Sequence, residues 1–124
     1  MSHSPAAPQD RIDDSIASQF VAARRSGQSL ENYPGPLPLD LDTAYAHQDA
    51  AIARFVGTIC GWKVGRIQPP LCDQLGTTRL FGPAWAAQRQ DIMGDTVPVG
   101  RIFNGGFGAA EAEFMFRLGS APSR

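Results

Sequence analysis

The sequence has no apolar run near the roughly 18 residues that a membrane span needs, and its start, "MSHSPAAPQD", lacks the basic-then-apolar order of a secretory signal. No membrane partner and a cytoplasmic location are expected. It has little charge imbalance: 11 Lys and Arg stand against 12 Asp and Glu, for a formal net charge of -1. Nothing in that balance marks a nucleic-acid or anionic-membrane partner. Only two cysteines are present, Cys60 and Cys72, and they form neither a CxxC nor a disulfide framework, so both read as buried thiols. Histidine is equally sparse. His3 stands in a Ser/Pro/Ala tail, and His47 has no second residue at ligand spacing, so neither reads as catalytic. Ser26, Ser29 and Cys72 lack a recognisable base partner, which leaves nucleophilic catalysis without support.

What is present is one domain's worth of chain. At 124 residues with 43% hydrophobic content, it could bury roughly two-thirds of its unfolded surface. Residues 1–8 have nothing to bury and read as a disordered tail; residues 9–124 form the folded unit. From Asp10 to about Arg25 the residues Ile12, Ile16, Phe20 and Val21, with Ala17 and Ala23, recur at helical spacing, and Gly27 is a stop. "NYPGPLPLD" carries three prolines and a glycine, which makes it an extended connector. A second helix follows, capped by Asp42 or Thr43 and striped by Tyr45, Ala51, Ile52 and Phe55 up to Gly57.

The period then changes. "TICGWKVG" reads as a short strand whose Gly61 and Gly65 let other backbone or a ligand come close. "PPLCDQLG" reads as a short helix opened by Pro69 and Pro70 and ended by Gly76. "TTRLFGPAWAAQRQD" reads as a loop leading to "TVPVGRIFN", the cluster "GGFG" and a closing strand, "EAEFMFRLG". The helical first half and strand-rich second half predict an α+β class.

Chemistry concentrates in two places. On a strand, Glu111, Glu113, Met115 and Arg117 share one face, and Ala112, Phe114, Phe116 and Leu118 share the other. Two carboxylates on one face, with Cα atoms about 7 Å apart, can converge on a hard cation such as magnesium or manganese. On pattern alone they also read as solvated charges of a half-buried strand. Lys63, between Trp62 and Val64, could bind a substrate carboxylate, move a proton if its pKa falls, or be a surface Lys beside an interfacial Trp. "GGFGAAE" is not a dinucleotide loop, because the third glycine is missing and a strand rather than a helix is expected after it.

The ordered set "LDTAYAHQDAAIARF", "GWKVG", "QLG", "FGP" and "GAAEAEFMFRLG" resembles the 2-keto-4-pentenoate hydratases, relatives of the 2-oxo-acid decarboxylases within the fumarylacetoacetate hydrolase family. The resemblance spans residues 9–119. It implies a fumarylacetoacetate-hydrolase-like mixed β fold begun by N-terminal helices. It also implies Mg2+ or Mn2+ on Glu111 and Glu113, with Lys63 in the active site. The implied activity is hydration of 2-hydroxypenta-2,4-dienoate-type 2-oxo acids in aromatic-compound degradation. Alternatives are a decarboxylase such as 4-oxalocrotonate decarboxylase, or a non-catalytic fragment or partner subunit. A homo-oligomer, or association with a related decarboxylase, is the implied assembly. Members of that family are longer, with a third acidic ligand and most of the β-rich domain beyond the E-x-E pair. The chain is therefore expected to be the N-terminal part of such an enzyme, without its C-terminal catalytic portion. The loop at Phe81 and Gly82 departs from the acidic-aromatic-glycine form of many relatives.

Overall fold

The computed structural model describes residues 8–119, and the side chains of residues 14–119. Two helices lead, α1 (Pro8–Ser26) and α2 (Leu41–Arg54). They are followed by β1 (Ile59–Arg66), the one-turn helix α3 (Leu71–Leu75), β2 (Arg79–Trp85) and a 3-10 turn at Ala86–Gln88. The class is α+β. Among the described residues the sheet has two strands, paired antiparallel.

The expected tail falls largely on residues 1–7, which lie outside the described residues, while Pro8 already opens α1. Proline suits that place, since the first helical turn leaves its N–H groups unpaired in any case. The apolar stripe of α1 is the buried one: Ile16, Ala17 and Val21 are in the core, and Phe20 meets Tyr33 edge-on at 5.4 Å. The Pro-rich connector folds back across α1 so that Gly35 lies against Ile16, where a Cβ would stand 2.7 Å from Ile16 Cγ1.

The cap of helix α2 lies two residues before Asp42 and three before Thr43, the two expected caps. Asp40 is the cap, and its Oδ1 accepts the Thr43 N–H at 2.7 Å. At the other end, Arg54 pairs with Asp14 at 2.6 Å and its carbonyl accepts from Arg25, which fastens α2 to α1.

The strand expected at "TICGWKVG" is β1, and α3 ends where expected, with Gly76 in the left-handed region at φ 64. That conformation favours glycine because it has no Cβ. Strand β2 corrects the reading of "TTRLFGPAWAAQRQD" as loop: Pro83 pairs with Trp62 and Gly82 with Lys63. Proline is compatible here because a two-stranded sheet has only edge strands, so its missing N–H can face outward.

A second correction concerns the closing segment. Residues 107–118 form neither helix nor strand, and among the described residues none of 107–119 joins a backbone–backbone hydrogen bond. The period-2 pattern is real, but a strand exists only where a partner takes its N–H and C=O groups. The second half is therefore less strand-rich than the sequence predicted. The chain is tethered at Asn104, whose N–H donates to the Gly27 carbonyl at 2.8 Å and whose carbonyl accepts the Ser29 N–H at 3.0 Å.

Candidate active site

Lys63 sits near the middle of β1 opposite Gly82, with Gly61 and Gly65 beside it on its own face of the strand. Trp62 and Val64 project to the other face, so the groups nearest Lys63 along its own face are glycines. A Cβ at Gly61 would meet nothing within 4 Å. At Gly65 a Cβ would meet Leu80 Cδ1 at 3.4 Å, so the close approach expected at these glycines is seen at Gly65 and not at Gly61.

Two chain segments 48 residues apart come together on Lys63. Its Nζ donates to Glu111 Oε2 at 2.5 Å, and Glu113 Oε1 lies 2.8 Å from the same nitrogen. The hydrogen bonds to Glu111 and then Glu113 hold the Lys63 pKa well above its usual value, and the Lys63 ammonium lowers that of Glu111. In this arrangement Lys63 is a fixed cation rather than a proton carrier. The cluster is open to water, with 52% of the Lys63 side chain and 62% of that of Glu111 exposed.

Two carboxylates that aim at one positive centre are a donor set suited to a hard divalent ion, and here the ammonium takes that position. An ion bound by Glu111 and Glu113 must displace Lys63 from them and draw its remaining ligands from water or substrate oxygens. Among the described residues there is no group of three or more His, Cys, Asp or Glu that could hold a metal. Glu111 and Glu113 by themselves fall short of such a group.

A cavity of about 450 Å³ lies elsewhere, between α1, α2, the connector and β2, lined by Phe20, Tyr33, His47, Phe55 and Trp85 among others. None of Lys63, Glu111 and Glu113 lines it. His47 is buried and shares a hydrogen bond between its Nδ1 and the Tyr33 hydroxyl. The sequence carries no signal for this pair, since the partners are 14 residues apart across a proline-rich connector and share no periodic pattern. The cysteines correct another expectation: Cys60 is exposed and Cys72 half-buried, the latter on a one-turn helix that buries no side chain.

No helix among the described residues is long and apolar enough to cross a membrane. Comparison of the chain with family models, curated proteins and solved structures finds no match.

Proposed function

We propose that Lys63, Glu111 and Glu113 are metal- and substrate-binding groups of a hydratase-type lyase acting on 2-hydroxypenta-2,4-dienoate-type 2-oxo acids, in a fumarylacetoacetate-hydrolase-like fold. The observation that carries this reading is the convergence of the three residues, drawn from two distant segments, on one point. Glu111 and Glu113 would hold magnesium or manganese. When bound, the ion supplies Lewis acidity toward the 2-oxo and carboxylate oxygens of the substrate. Lys63, released from the glutamates, keeps its charge and neutralises the substrate carboxylate. Its glycine neighbours leave room for a flat conjugated acid to lie against the strand. Loss of carbon dioxide from a related 2-oxo acid needs the same anion-holding groups, so the decarboxylase alternative shares this site.

A second reading has one observation in its favour. The ammonium already satisfies both carboxylates, as in a purely structural ion cluster, and that suits a non-catalytic subunit. Manganese titration by calorimetry separates the two, with an unreactive 2-oxo acid added in a second arm. Weak manganese binding that is lost in Glu111→Gln/Glu113→Gln, and 2-oxo acid binding that needs both manganese and Lys63, are expected of the lyase. Manganese affinity unchanged by the double substitution would remove the glutamates from the site. Absence of any binding would favour the structural cluster.

A further inference from the structure

The cavity between α1, α2, the connector and β2 has a chemistry of its own, apart from the Lys63 cluster. Its volume of about 450 Å³ lies within the roughly 300–1,000 Å³ of small-molecule sites. Two aromatic pairs stand in its wall, Phe20 with Tyr33 at 5.4 Å and Phe55 with Trp85 at 4.4 Å. Phe20 is 38% exposed and Phe55 half-buried, so that wall is open to solvent and to a ligand.

Arg24 supplies the charge. Among the described residues it is the only Arg or Lys in the lining, and no Asp or Glu accompanies it there. Its Cζ lies 5.7 Å from the centre of the Phe55 ring and 6.0 Å from that of Phe103, and its Nη1 donates to Gln88 Oε1 at 3.1 Å. These contacts hold the guanidinium in place, but every one of them is to a neutral group. Its Nε and Nη2 make no bond among the described residues. Arg54 and Arg89, by contrast, are paired with Asp14 and Asp91.

We propose that this cavity binds a small flat arene bearing one carboxylate, with the ring among the two aromatic pairs and the carboxylate on Arg24. Aromatic walls favour an aromatic guest through edge and offset contacts as well as buried area. A carboxylate matches the planar guanidinium fork, which can give it two parallel N–H···O bonds. A single cation with no acid beside it favours a monoanion over a phosphate dianion. The site is separate from the one proposed above, because none of Lys63, Glu111 and Glu113 lines the cavity. The two readings stand or fall independently.

The test is calorimetric titration of the full chain with 2-naphthoate and, separately, with the neutral 2-naphthamide. One saturable site for the acid is expected, with the amide bound more weakly. Arg24→Gln should lower the affinity for the acid about tenfold or more, the scale of a lost hydrogen bond to a charged group. It should leave that for the amide within about twofold, since the amide makes no use of the charge. Ala51 lines the cavity from α2, and leucine is a good helix former. Ala51→Leu should therefore fill the space and abolish binding of both probes while helical circular dichroism is retained. Absence of saturable binding of 2-naphthoate at millimolar concentration overturns the proposal. So does equal affinity for acid and amide, binding that survives Ala51→Leu, or a parallel loss of both probes in Arg24→Gln, which would make Arg24 a support of the fold. Binding of the acid that is lost in Lys63→Ala and kept in Arg24→Gln would place the anion on the Lys63 cluster and overturn it as well.

Discussion

Gly35 shows how far a single residue can matter in a fold with so few buried side chains. Its missing Cβ is what lets the connector lie on Ile16, which is 1% exposed and has no room to yield. Gly35→Ala is therefore expected to destabilise by about 1–3 kcal/mol, the usual cost of overpacking. Gly61→Ala is the contrasting case, because the added methyl meets open space and the strand loses backbone freedom it does not need. A neutral or slightly stabilising effect, up to about 1 kcal/mol, is expected there. Urea denaturation of both variants checks the pair, and equal losses would mean that Gly35 owes nothing to close packing. At this scale type and spacing singled out Lys63 and the two glutamates, and the fold brings those three side chains together. The sequence was not legible where two residues meet through the fold alone, as with Tyr33 and His47, since neither carries a local pattern that names the other.

At the scale of elements, the helices were readable because their apolar stripes are long, and their ends were less so. "DLDT" offers several capping residues in a row, and the structure selects Asp40, the one that leaves Leu41 inside the helix with the Thr43 N–H within reach. The bond from the Thr43 backbone N–H lowers the Asp40 pKa below its ordinary value of 3.8. A carboxyl whose folded pKa is depressed contributes stability above its unfolded value and loses that contribution as pH falls through the folded one. The charge-dependent part of the α2 cap should thus be intact above about pH 4 and fade in more acid solution. Asp40→Asn retains an acceptor and should remove that acid dependence, whereas Asp40→Ala should lower the thermal midpoint at neutral pH too. Helical circular dichroism followed from pH 6 to 2 reads both, and identical acid profiles for the native chain and Asp40→Asn would assign the dependence to other carboxyls. The strands were the harder case for a physical reason. β2 was hidden because Gly82 and Pro83 are poor strand formers that an edge position tolerates. The segment at 111–118 has the better strand pattern yet no partner among the described residues, and pairing rather than propensity makes a strand.

For the whole molecule, few side chains among the described residues are buried. Burial is concentrated on Ile16, Ala17, Val21, Ile67 and Trp85, with His47 beside them. The helices meet the hairpin through two aromatic pairs, Phe55 with Trp85 at 4.4 Å and Tyr45 with Phe81 at 5.0 Å. The second pair is reinforced by the Phe81 N–H donating to the Tyr45 hydroxyl and by Gln48 donating to the Phe81 carbonyl. Trp85 is the buried member at 6% exposure, so its loss removes both core volume and the link between layers. Trp85→Ala should cost about 3–5 kcal/mol, as deletion of a buried aromatic does, against the 5–15 kcal/mol typical of whole domains. With so small a core, that loss should abolish the cooperative transition and leave α1 and α2 associated without the hairpin. Tyr45→Phe keeps the ring stack and removes one hydrogen bond, so it should cost only about 1 kcal/mol. Amide exchange distinguishes the outcomes: in Trp85→Ala, protection should vanish from β1 and β2 first and persist longest around Ile16 to Val21. Protection lost evenly from helices and strands would show instead that the two layers fold as one unit and that Trp85 is not their joint.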